Sequence, residues 1–140
     1  MKLIFCSLAM VVCLAAPSYA QTPGAAYVEF GGSVMYYSIN GEVPVGSNRT
    51  ARVGGMVLPG FAAGATASIN QLISYGNDYL VFGVGMTRVG GHGSHFTAGT
   101  ATVGFRHMRP GGSFVQVAIT PLITNRGAHP YAGLSIGRSF

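Results

Sequence analysis

Few side chains in this chain are equipped for chemistry, and most of those stand alone. Four histidines occur, His92, His95, His107 and His129, and two of them share the segment Gly90-Gly-His-Gly-Ser-His95 with no cysteine or carboxylate beside them. Zinc and copper centres draw three or four ligands from Cys, His and carboxylate, so this pair reads as loop polarity and no metal is assigned. Ser94 with His95 or His129 would supply a nucleophile and a base for cleaving a lipid ester. A base of that kind needs a third group to orient it, and the sequence offers none. The paired glycines at Gly54-Gly55, Gly90-Gly91 and Gly111-Gly112 lack the lysine and following helix of a phosphate loop. No catalytic, cofactor-binding or metal-ligating residue is therefore assigned, and no enzyme activity or cofactor is expected.

A second group is more coherent: Glu29, Arg52, Arg106 and Gln116, with Thr100, Thr102, Thr120 and Tyr37. Each falls opposite large apolar residues in a segment that alternates with period two, the signature of a strand with one oily and one polar face. If the polar face is enclosed, these groups form either a charged constriction that selects ions or a packed hydrogen-bonded plug. An eight-stranded barrel has an interior just wide enough for side chains to fill, which favours the plug. Glu29 is the one acidic residue on an inward face in this reading, and it should pair with Arg52 or Arg106, because a buried carboxylate left alone is costly.

The alternation that positions them recurs through the chain. Residues 25–40 place Val28, Phe30, Gly32, Val34 and Tyr36 outward and Tyr27, Glu29, Gly31, Ser33 and Tyr37 inward, with tyrosines near the ends. Residues 50–58 place Ala51, Val53 and Val57 outward and Arg52, Gly54 and Met56 inward. Residues 65–74 alternate more weakly, and helix is an alternative there. In 79–89, Leu80, Phe82, Val84 and Met86 oppose Gly83, Gly85 and Thr87. In 96–108, Ala101, Val103 and Phe105 oppose Thr100, Thr102, Gly104 and Arg106. In 113–123, Val115, Val117 and Ile119 oppose Phe114, Gln116, Ala118 and Thr120, and Pro121 marks the exit end. The closing segment, 131–140, sets Ala132, Leu134, Ile136 and Phe140 against Gly133, Ser135, Gly137 and Ser139. Residues 41–48, 90–95 and 124–129 read as loops from their Gly, Pro and Asn content.

Composition says what surrounds these faces. Charged residues are 8% of the chain and hydrophobic ones 49%, whereas a soluble domain carries about a quarter charged. Residues 1–20 read as a cleaved secretory signal: Lys2, an apolar run over 3–15, and Ser18-Tyr19-Ala20 as the cleavage site. Cys6 and Cys13 both lie in it, leaving no disulfide in residues 21–140, a single domain. Beyond the signal no apolar run reaches the roughly 20 residues of a spanning helix, so a membrane would be crossed by strands. The seven arginines are scattered singly along an exported chain, which argues against nucleic acid.

The expected fold is thus all-β: a closed, antiparallel, up-and-down transmembrane β-barrel of about eight strands, of which seven are directly visible. Bacterial single-chain barrels have even strand numbers. Seven strands put the start of the first strand at the end opposite Phe140, so either the barrel closes in parallel or, as favoured here, an eighth strand is hidden, by splitting 25–40 at Gly31-Gly32 or by using 42–46. The tight turns at Gly76-Asn77 and Pro110-Gly111 would share the end that holds Phe140. An exported soluble barrel binding a small apolar ligand is the alternative, with a narrow porin or a lipid A-modifying enzyme less favoured.

Several pieces together resemble a group of small, mostly uncharacterised outer-membrane β-barrel proteins of Gram-negative bacteria: Tyr27-Val-Glu-Phe-Gly-Gly32 with Tyr37-Ser-Ile-Asn40, Leu80-Val-Phe-Gly-Val-Gly85, Gly104-Phe-Arg106, Thr120-Pro-Leu122, and Gly133-Leu-Ser-Ile-Gly137 through Phe140. Departures are Val81, where relatives tend to carry an inward acid, and Arg138, where an apolar residue is usual. The resemblance implies an outer-membrane location. It also implies a C-terminal assembly signal carried by Tyr131, Gly133, Leu134, Ile136 and Phe140, and as partners the barrel-assembly machinery, periplasmic chaperones, the lipid bilayer and lipopolysaccharide. It implies little about activity, since a fold does not fix a function; a structural or surface-interaction role is the expectation.

Overall fold

The structure, a computed structural model, describes residues 22–140; the signal expected over 1–20 lies outside the described residues. Eight antiparallel strands follow one another around a closed barrel: β1 (Ala25–Gly31), β2 (Tyr37–Pro44), β3 (Arg49–Leu58), β4 (Ala62–Tyr75), β5 (Asp78–Gly91), β6 (Ser94–Met108), β7 (Ser113–Thr124) and β8 (Gly127–Ser139). Each strand pairs with its neighbours in sequence. β1 also pairs with β8, Ala25 opposite Ser139 and Gly31 opposite Gly133, so no strand edge is left with unpaired backbone groups.

Alternation decides which side chains go in. On β5, Val81, Gly83, Thr87 and Val89 are buried while Phe82, Val84 and Met86 are exposed; on β7, Phe114, Gln116, Ala118 and Thr120 are buried while Val115, Val117 and Ile119 are exposed. Glycine takes the inward positions 83, 85 and 104 on β5 and β6, where there is little room. A Cβ at Gly83 would run into the Asn70 side-chain oxygen, which lies across it from the neighbouring strand.

The first hairpin corrects the expectation for 25–40. The chain turns at Gly31-Gly32, one of the two places considered for the missing strand, through a short 3-10 helix, η1 (Gly32–Val34), and β2 then runs through residues assigned to a loop. Gly31, Gly32 and Met35 all have positive φ, of 75°, 69° and 72°, which glycine adopts without steric cost. Val34, expected to face outward, is fully buried, because the turn folds it into the barrel mouth against Met56 and Val89. Tyr27 is inside, on the face the alternation gives it.

With eight strands the direction problem disappears. Both described chain ends and the turns at 45–48, 76–77 and 109–112 share one end of the barrel, while 32–36, 59–61, 92–93 and 125–126 lie at the other. These are called the terminal end and the far end.

The loops expected at 90–95 and 124–129 are two-residue turns. His92 and Gly93 have φ of 47° and 80°, the all-positive pattern whose twist matches flanking strands. Strand β8 accordingly starts at Gly127, and His95 and His129 lie in strands. The segment 65–74 lies within strand β4, not a helix. Pro121 sits inside β7, opposite Pro130 of β8, rather than ending it. The ladder to β6 pauses between the pairs Thr100–Leu122 and Val103–Ile119, where Pro121 has no N–H to give.

Candidate functional site

The interior is built in layers. At the terminal end, Ala25, Tyr27 and Phe114 form an apolar floor with Met108 against it, the Tyr27 and Phe114 rings meeting edge to face at 5.6 Å. At the far end Val34, Met56 and Val89 form a second apolar cluster, flanked by Met35, Leu58 and Ala62. Between them lie the charges.

Two buried ion pairs dominate. The Arg52 Nη2 donates to Glu29 Oε1 at 2.9 Å, and its Nε donates to Asn40 Oδ1 at 2.9 Å. Ser33, delivered by η1, donates its backbone N–H and hydroxyl to the same Glu29 oxygen at 3.3 Å, and Ser135 reaches the other at 3.4 Å. The second pair is Arg106 Nη2 to Glu42 Oε2 at 2.7 Å. Glu42 Oε1 accepts from Thr50 at 2.7 Å and from Asn70 at 2.8 Å, and Arg106 Nε donates to Gln116 at 2.8 Å.

The pairing is not the one that strand register would give. Glu42 stands directly opposite Arg52 in the β2–β3 ladder, yet each joins a partner elsewhere: Arg52 reaches β1, and Arg106 comes from β6, four strands around the barrel from β2. The guanidiniums also lie over rings, Arg106 at 4.5 Å from the Phe114 centroid and Arg52 at 5.4 Å from that of Tyr27. Such contacts suit Arg, whose planar group stacks while its edge donates.

Glu29, Arg52, Arg106, Gln116, Thr100, Thr102 and Thr120 are all buried inside the barrel. Thr102 and Thr120 approach at 3.4 Å, while Thr100 lies in the same lining without joining the ion pairs. Tyr37 is not interior; its hydroxyl donates to the Val57 carbonyl at 2.6 Å near the far rim. Glu42 is the residue sequence reasoning missed, so Glu29 is not alone as an inward acid. Its signal was present in the alternation of Ser38, Asn40 and Glu42, which continues the polar face across Gly41.

Among the described residues, the Tyr27 hydroxyl is the one buried side-chain polar atom without a partner, and no group of three or more His, Cys, Asp or Glu is placed to hold a metal. Ser94 and His95 adjoin on one strand, so they point to opposite faces, and the Ser94 hydroxyl donates to the Gly91 carbonyl at 3.1 Å. One histidine does have an orienting carboxylate: His107 Nδ1 lies 2.6 Å from Asp78 Oδ1 on the exposed face near the terminal end. Among the described residues no hydroxyl hydrogen-bonds to His107.

The far end is a shallow cup of about 1010 Å³, walled by Tyr36, Phe61, Phe96 and Tyr131 and edged by Arg126 and His129. Of the expected assembly-signal residues, Tyr131 lines this cup, Gly133 faces in, and Leu134 and Ile136 face out. Phe140 is exposed at the terminal end, its backbone N–H donating to Gly24 at 3.0 Å. Comparison with protein-family models, with curated proteins and with solved structures finds no match to this chain.

Proposed function

We propose that this chain is an integral outer-membrane barrel with a structural or surface-interaction role, and that its interior is a plug rather than a pore. The observation that carries the reading is the inversion of the usual polarity. Large apolar residues, among them Ile39, Val53, Val84, Val103, Ile119 and Ile136, are exposed around the whole circumference, each more than half accessible. The ion pairs are sealed within. A monomer in water rarely exposes so large a continuous apolar surface, whereas in a bilayer such a band replaces lipid contacts and the closed ladder satisfies every strand's backbone.

The alternative of an exported soluble barrel holding an apolar ligand needs an apolar interior and a polar exterior, and both are reversed here. The resemblance of the closing strand, 131–140, to outer-membrane assembly signals supports the location, and the polar plug capped by apolar clusters at both ends supports the absence of conduction.

The test is fractionation with conductance. The chain should accompany outer membranes, resist carbonate extraction, migrate faster before heating than after, and give no stable conductance step in planar bilayers. Recovery as a soluble periplasmic protein would end the reading of location; discrete channel openings would end the reading of a plug.

A further inference from the structure

The outer wall is not uniformly bulky. Between β2 and β6, near the far end, the side chains thin out and leave an open groove of about 890 Å³. The ladder gives its layout. One row around the wall reads Ile39, Gly55, Ala65, Arg88 and Thr97; the next row toward the far rim reads Tyr37, Val57, Ala63, Gly90 and His95. The floor is therefore glycine and alanine. One bank is Ile39 and Val57. The other bank carries two cation-capable or donor groups, Arg88 and His95, on adjacent strands and diagonal to one another.

Neither Arg88 nor His95 makes a side-chain hydrogen bond among the described residues, and no carboxylate shares the groove. Glu29 and Glu42 are sealed inside, and Asp78 is bound to His107 at the opposite end. An apolar trough with an unneutralised arginine at its β5–β6 end asks for an occupant that is oily along its length and anionic at its tip. A second copy of this chain would instead bring another Arg88 to the same face.

We propose that the groove holds an acyl chain of one anionic lipid, with its phosphate between Arg88 and His95. The inference rests on the bilayer location proposed above. The guanidinium and the imidazole N–H donate to the phosphate oxygens, and such charge-assisted bonds are the stronger class. Because groove and far-end cup share Gly90 and His95, anything attached beyond the phosphate lies toward the cup.

The experiment places the full chain in nanodiscs of phosphatidylcholine with a minor fraction of phosphatidic acid and counts retained lipids by native mass spectrometry. The chain should keep one phosphatidic acid in preference to phosphatidylcholine. Arg88→Gln with His95→Gln should weaken retention about tenfold, the scale of losing charge-assisted bonds. Gly55→Leu, which fills the floor and leaves the charges, should weaken it too. Arg138→Gln, on the outer face at the terminal end, should not. Undiminished retention in the double variant, equal loss in Arg138→Gln, or a dimer formed through this face without lipid would overturn the proposal. A chain that does not enter nanodiscs at all would refute the bilayer reading itself; insertion without lipid preference would refute only the lipid site.

Discussion

Glu42 and Arg106 approach from strands four apart around the barrel, and their 2.7 Å contact ties opposite walls together. Both groups are buried, so removing one leaves the other buried and uncompensated. Glu42→Gln should therefore cost about 3–5 kcal/mol, read as a lowered denaturant midpoint for the barrel folded in detergent. Replacing both partners, Glu42→Leu with Arg106→Met, should cost less than either single change, because no orphan charge remains. The interior face was legible wherever strands alternate cleanly, as on β6 with Thr100, Thr102 and Arg106. The partner of Arg106 was not, since a contact across the lumen has no signature in sequence spacing, and Glu42 sat in a Gly-Glu-Val-Pro stretch that reads as a turn.

The hairpin joining β1 to β2 shows why local pattern misled. Val28, Phe30, Val34 and Tyr36 keep a period of two straight through the turn, so the 3-10 helix is hidden inside an apparent long strand. What betrays the turn is Gly31-Gly32, where positive φ is required. A Cβ at Gly32 would also meet the Glu29 carboxylate. Gly32→Ala should destabilise by about 1–3 kcal/mol through strain at that φ and should displace Glu29 from Ser33, measurable in the same denaturant titration. The turn between β5 and β6 departs in the opposite sense: glycine and histidine read as a flexible loop, yet His92 and Gly93 supply the positive φ of a two-residue turn. His92 occupies a position that Asn favours in such turns. His92→Asn should therefore hold or raise the denaturant midpoint, whereas a His92 that served as a metal ligand would lose metal-dependent stabilisation in the same assay.

Taken whole, the molecule is a closed cylinder with two ion pairs sealed inside and most of its large aliphatic residues outside. That architecture followed from the sequence because composition and alternation agree: at 8% charged, there is too little charge to cover a wetted surface, and Glu29, Arg52 and Arg106 fall opposite the bulky residues of their strands. Eight strands also reconcile direction with the tight turns, since Gly76-Asn77 and Pro110-Gly111 share an end with Phe140. A cysteine at Gly111 should accordingly resist a membrane-impermeant maleimide added to intact cells, as expected for a periplasmic turn. The central claim, that the outer face meets lipid, is tested most directly by spin labels at Val84→Cys and Val117→Cys, both outward and more than half exposed. In reconstituted vesicles these sites should be relaxed strongly by molecular oxygen and weakly by a water-soluble nickel chelate. Strong relaxation by the nickel chelate at both positions would contradict the account.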